Sequence, residues 1–252
     1  MAKCSIGTSG WNYPHWGKGT FYPKGLSSSH WLDYYSRFFQ TVEVNNTFYQ
    51  LPKRETFEKW RDGTPGNFSF ALKASRFISH VKRLKEPAES LDLFYRAASG
   101  LGEKLGPVLF QLPPSWKLDL DRLATFLSAL RRQHGWKAIS VVLEVREKSW
   151  LCEEVYRLLE EHGVSLCLAD FAELPIDGPI TAPLVYIRRH GPAGLYASKY
   201  SDAFLRKEAE RIKRWLREGK DVDIYFNNDA HGWAVENAIA LKSMITATEM
   251  KL

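Results

Sequence analysis

The side chains able to do chemistry are spread along the chain, but they recur in one kind of place. Glu43 and Asn45 follow Val42 and Val44 in Val-Glu-Val-Asn-Asn-Thr-Phe-Tyr-Gln-Leu-Pro, a strand whose second face carries a carboxylate and an amide. The same pattern of apolar run and polar end returns at Lys73, Gln111, Glu144 with Arg146, Asp170, Arg188 with His190, and Tyr225 with Asn227. Guanidinium forks match the oxygens of phosphate or carboxylate, and lysine adds a point charge. Carboxylates and an imidazole in a partly dry cleft can be tuned to give or take protons. Glu43, Glu144, Asp170 and His190 are therefore the candidate acids, bases or nucleophiles. Lys73, Arg146, Arg188, Asn45, Gln111, Asn227, Tyr225 and Trp11 are the candidate substrate contacts.

The elements that must hold these groups are legible from period and punctuation. Strands are expected at Ser5–Thr8, Thr41–Asn45, Phe68–Lys73, Val108–Gln111, Val141–Val145, Ser165–Ala169, Leu184–Arg188 and Val222–Phe226. Helical segments alternate with them. One is capped by Ser28 or Ser29 and runs through Phe39, and a short one spans Glu55–Arg61. Longer ones span Pro87–Leu105, Asp119–Gln133, Leu151–His162, Ser201–Glu218 and Ala234–Met250. Gly106-Pro107 reads as the stop of the third of these. Between the sixth and seventh strands, Phe171–Pro183 contains Pro175, Gly178, Pro179 and Pro183, so a loop is expected where a helix would otherwise stand.

Eight β-α units in 252 residues predict an α/β protein, a single (β/α)8 TIM-type barrel of one domain, residues 1–252, with the helix after strand six reduced or missing. An open doubly wound sheet is the structural alternative. In a barrel, alternate strand residues face the interior, and chemistry gathers at the C-terminal strand ends. The polar strand ends are then expected to share one pocket. A bland reading competes with this: three acids facing three bases form a structural ion network. The early aromatics Trp11, Tyr13, Trp16, Phe21 and Tyr22 read as packing over the barrel mouth or as a stacking platform. The helix from Arg206 to Glu218 reads as a solvated charged face.

Composition narrows the rest. The chain is 44% hydrophobic with a formal charge of +6, which is ordinary for a globular protein and admits an anionic partner. No apolar run reaches the ~20 residues needed to cross a bilayer, and the N-terminus lacks the pattern of a secretion signal. Cys4, Cys152 and Cys167 are far apart and odd in number, which predicts reduced thiols in a cytoplasmic protein.

The motifs Ile6–Trp11, Val42–Tyr49, Phe70–Ala74 followed by Ser79-His80, Gln111–Pro114, Leu143–Arg146 with Ser149-Trp150, Arg188 with His190-Gly191, and Tyr225–Asn228 together resemble the YecE-like family. That is a domain of unknown function, number seventy-two, found mainly in bacteria and archaea. The resemblance covers nearly the whole chain and implies a TIM-type barrel. It implies no established reaction. The family often carries a histidine after the Glu-x-Arg of the fifth strand; Glu147 stands here, which leaves His80 or His190 as the candidate base.

Four functions are weighed. The first is an enzyme of hydrolase or lyase type acting on a small anionic, phosphate-bearing substrate at the C-terminal barrel mouth, without a cofactor. A variant places a divalent metal among Glu43, Glu144, Asp170 and His190. The second is nucleic-acid binding or processing, motivated by the positive balance and by Trp11, Trp16 and Tyr22 near Lys18 and Lys24. A glycoside hydrolase using Glu43 and Glu144, and a non-catalytic binding module, are the remaining readings. No membrane partner is expected, and the sequence is silent on oligomeric state.

Overall fold

The computed structural model describes residues 2–171, 174, 177–193 and 196–249. Its eight strands are β1 (Cys4–Thr8), β2 (Thr41–Val44), β3 (Ser69–Lys73), β4 (Leu105–Gln111), β5 (Val141–Glu144), β6 (Ser165–Ala169), β7 (Leu184–Arg189) and β8 (Asp221–Phe226). They hydrogen-bond in the order β1-β8-β7-β6-β5-β4-β3-β2 as a nearly closed parallel barrel with helices in the crossovers. The helices are α1 (Trp31–Ser36), α2 (Asn46–Tyr49), α3 (Arg54–Asp62), α4 (Ala88–Ala98), α5 (Leu120–Arg132), α6 (Glu153–Glu161), α7 (Asp202–Arg217) and α8 (Trp233–Glu249). None of the described residues linking β6 to β7 is helical; residues 172, 173, 175 and 176 of that expected loop lie outside the description. No helix among the described residues is long and apolar enough to cross a membrane.

The residues form two compact units: Met1–Glu43, Leu168–Ile176 and Pro183–Leu252 in one, Val44–Cys167 and Asp177–Ala182 in the other. In the first unit, Gly7, Tyr225 and Arg188 lie level across β1, β8 and β7, and Ser9 bridges to Glu43. Alternation then puts Tyr186, Arg188, Asp223, Tyr225 and Glu43 on one face of the strands and Arg189 on the other. β1 runs so close to β2 that a Cβ on Gly7 would lie 2.4 Å from the Thr41 carbonyl oxygen. The N-terminal loop is an aromatic core. Trp16 and Tyr22 are fully buried, Tyr22 stacks on Trp31 at 4.7 Å, and its hydroxyl donates to the Trp11 carbonyl at 2.6 Å. Each such ring contributes about 2–3 kcal/mol by burial.

In the second unit, Lys73, Leu109 and Val142 are level, and Gln111 is level with Glu144. α5 forms where its apolar stripe Leu123, Phe126, Leu127 and Leu130 is buried. The Asp119 side chain caps it by accepting from the Arg122 N–H at 3.0 Å, a contact that stabilises the helix by about 1 kcal/mol.

Three local expectations need correction. Gly106-Pro107 does not stop a helix but lies inside β4. The β3–β4 register shifts between Phe70 and Leu72, a bulge that absorbs the proline, which has no N–H to give the ladder. The helix expected over Pro87–Leu105 ends at Ala98. It continues as a 3₁₀ segment broken at Gly102, whose φ of 56° only glycine takes readily. The first helix ends at Ser36 rather than Phe39, and no serine side chain caps its N-terminus; Ser27 and Ser29 hydrogen-bond to each other instead.

Candidate functional site

Strand-end side chains assemble a polar cluster in each unit. In the first, Glu43 is wholly buried and accepts from Arg188 Nε at 3.1 Å and Nη2 at 2.8 Å, from Tyr186 Oη at 2.7 Å and from Ser9 Oγ at 2.7 Å. Burial alone would raise its pKa. The Arg188 charge and the three hydrogen-bonding partners outweigh that and hold the carboxyl below the usual range. Tyr13 donates to the Ser9 carbonyl at 2.5 Å, and burial followed by the charges of Asp229 and Glu43 pushes its phenol well up. Glu43 is thus an ionised acceptor in a fixed donor cage, not a carboxyl held near neutrality for proton exchange.

One step toward the C-terminal ends, His190 is buried, and its Nδ1 meets Asn227 Nδ2 at 3.1 Å. The rings of Phe171 and Tyr196 meet it edge-on. Asp170 falls out of phase with Ser165, the β6 residue level with Val142. It accepts from the His190 backbone N–H at 2.6 Å and from the Tyr200 hydroxyl. Burial raises its pKa, opposed by Arg189 and by those hydrogen bonds. Asp170 accordingly positions the chain segment that carries His190. Tyr225 has the expected parity but sits deeper: its hydroxyl is 2.8 Å from Thr41 Oγ1 and donates to Asp223 Oδ2 at 3.4 Å. Trp11 is buried, and its backbone carbonyl accepts from the Tyr22 hydroxyl.

In the second unit, Glu144 pairs with Arg146, and both side chains are buried. Lys73 Nζ lies 4.1 Å over the Phe48 ring, and that ring meets His80 edge-on at 4.9 Å. Thr47 Oγ1 donates to the Val44 and Lys73 carbonyls at 2.9 and 2.6 Å, fixing α2 on the end of β3. Asn45 occupies the N-cap position of α2. His80 Nδ1 is 2.9 Å from Ser79 Oγ. Burial, then the charges of Lys73, Arg76 and Arg146, lowers the His80 pKa to about 4, so the ring is neutral at pH 7. Gln111, half-buried at the end of β4, stands level with Glu144. Glu147, where the resemblance implies a histidine, accepts from the Ser149 N–H at 2.9 Å and caps a turn.

The family model described as "Protein of unknown function DUF72" matches residues 5–252. The chain belongs to this family. The YunF protein of Bacillus subtilis is 27% identical over 92% of this chain and 91% of its own length. A DUF72 family protein of Thermotoga maritima superposes with a TM-score of 0.83 at 31% identity, covering 97% of this chain and 99% of that one. The SacUVDE structure shares the fold with a TM-score of 0.60 at 9% identity, over 100% of this chain and 99% of its own. The motifs by which the DUF72 resemblance is recognised sit at or just beyond the C-terminal ends of strands, as Lys73, Gln111, Glu144 with Arg146, and Arg188 with His190 do.

Sequence reasoning missed Tyr186 and Ser9, although both share the parity of residues it did select. It also did not single out Phe48, although that residue lies within the Val42–Tyr49 motif just after the second strand. Glu208 was misread as part of a solvated face. It is buried and accepts from Arg189 at 2.6 Å. The signal was present: Leu205, Glu208, Ile212 and Trp215 follow helical spacing on one face. Among the described residues no three His, Cys, Asp or Glu side chains gather as a metal centre, and the three cysteines are unbridged.

Proposed function

We propose that this DUF72 protein is an enzyme acting on a small anionic, phosphate-bearing group held at the C-terminal ends of β3, β4 and β5. One observation carries the reading: at the end of a barrel where catalytic groups collect, Lys73 Nζ lies 4.1 Å over Phe48, the ring that meets His80 at 4.9 Å, and burial followed by the charges of Lys73, Arg76 and Arg146 keeps that imidazole neutral. Three cations acting on one half-buried histidine create a field that an anion relieves. Arg146, aligned by Glu144, supplies a guanidinium to the phosphoryl oxygens, and Lys73 supplies a point charge. Gln111 orients the ester. A bound dianion offsets the field on His80 and moves its pKa back toward the ordinary 6.5, so the ring becomes a competent acid or base only when substrate is present.

The test is titration of purified protein with inorganic phosphate, read by the His80 ring resonances. Phosphate is expected to raise the His80 pKa, and Lys73→Ala and Arg146→Ala are each expected to weaken binding by about tenfold or more. Full affinity in both variants rejects the proposal. A screen of phosphate esters then identifies the bond cleaved.

A further inference from the structure

The segment after β3 is unusual in three independent ways. Phe77–Val81 is a π-helical turn, a rare form found frequently at functional sites. Arg83, Leu84 and Glu86, none of them glycine, all take positive φ, at 46°, 62° and 40°. Such backbone persists only where its surroundings hold it. Here Leu84 is completely buried and its N–H donates to the Ile78 carbonyl at 2.9 Å. The segment is also basic: Arg76, Lys82, Arg83 and Lys85 stand against the one acid Glu86.

This turn leaves apolar surface to solvent. Phe77 is 48% exposed and Val81 61%, and on α2 Tyr49 is 73% exposed. Tyr49 is tied to the same place, because its ring meets Phe48 at 5.0 Å and Phe48 meets His80 at 4.9 Å. A cation attends each end of the array: Lys82 Nζ lies 5.4 Å from the Phe77 centroid, and Lys73 Nζ lies 4.1 Å over the Phe48 ring that Tyr49 meets. Exposed aromatic faces interleaved with cations are what a strand of unpaired nucleotides needs, a π-face for each base and a positive charge for each phosphodiester. A small metabolite would not use a platform that extends outward from the anion site, and a base-paired duplex has no free base faces to stack.

We propose that the β3 turn and α2 bind single-stranded nucleic acid. Bases stack on Tyr49 and Phe77, Arg76 and Lys82 hold flanking phosphates, and one phosphodiester enters the Lys73–His80–Arg146 site. This rests on the phosphate reading above and names the class of molecule that carries the phosphate.

The test is fluorescence anisotropy of a labelled oligothymidylate of roughly ten nucleotides, a length within the range of known single-strand sites. A duplex of equal length and the phosphate titration run beside it. Tyr49→Ala and Phe77→Ala are each expected to weaken single-strand binding by about tenfold and to leave phosphate binding unchanged. Affinity is expected to fall with salt, with a slope near 0.7 per phosphate contacted. The duplex is expected to bind at least about tenfold more weakly than the single strand. Wild-type affinity in both variants overturns the inference, as does equal binding of duplex and single strand. Phosphate binding without oligonucleotide binding overturns it and leaves the anion site standing. Loss of both removes the two together.

Discussion

Arg188 and Arg189 are neighbours on β7, and each is buried against a glutamate, yet they belong to different parts of the protein. Arg188 shares the face of Glu43, Tyr186 and Ser9, and its partner carboxylate is caged by donors from β7 and from Ser9, just beyond β1. Arg189 points the other way and joins the strand to α7 through Glu208, with Arg211 reaching the second carboxylate oxygen at 3.3 Å. Distance and burial do not separate the two pairs: the closest N···O contacts are 2.8 and 2.6 Å, and no side chain in either is more than 2% exposed. Strand parity separates them. A buried ion pair is therefore not itself a sign of function: the Arg189–Glu208 pair, outside the polar strand ends singled out in the sequence, ties β7 to α7.

The comparison can be broken by single substitutions. Glu43→Ala removes the buried carboxylate that accepts from Arg188, Tyr186 and Ser9, and is expected to cost about 3–5 kcal/mol in denaturant unfolding. Arg189→Ala leaves Glu208 with Arg211, and a smaller loss of about 2 kcal/mol is expected. Equal losses would mean that the spare cation on α7 does nothing.

Asp223 sharpens the contrast from the interior side. Burial raises its pKa to about 6, opposed by hydrogen bonds from Ser5 and Tyr225. A carboxyl with a raised folded pKa gives stability that is fully present below the unfolded value near 4 and is lost as pH rises through 6. Asp223→Asn is expected to add on the order of 2 kcal/mol at pH 7.5 and nothing at pH 4. A constant difference across pH would show that the shift is absent.

For His80 the sign is reversed: its folded pKa lies below the unfolded one, so stability is present above about 6.5 and declines as pH falls toward 4. His80→Gln is expected to flatten that decline, as read from melting temperature against pH. The smallest effect is expected at the surface, where Arg37→Ala, which breaks the exposed pair with Asp33, should change stability by less than about 0.5 kcal/mol.

What was legible in the sequence follows from the same parity. Period-two alternation set the face of Glu43, Arg188, Gln111 and Glu144, because a strand gives each side chain only two directions. Alternation says nothing about depth, so Tyr225 was grouped with the rim although its hydroxyl is held by Thr41 and Asp223. It also lapses where pairing ends. Asp170 leaves the β6 pattern and turns to Tyr200, a partner thirty residues away that no local signal announces. The π-helical turn was invisible for another reason: Ser79-His80 was recognisable as a motif, but the turn is closed from outside it, by the buried Leu84, whose N–H donates to the Ile78 carbonyl. Gly106-Pro107 misled because punctuation normally ends elements, and only the paired strand reveals that a bulge can swallow it.

The approach of Gly7 to the Thr41 carbonyl has a last consequence. At that seam the backbone of β1 is filtered by room rather than by chemistry: even a methyl group must push a neighbouring carbonyl aside. A change there would be felt two residues along at Ser9, and so at the carboxylate it helps hold, making a position with no side chain of its own a governor of the acid on the next strand.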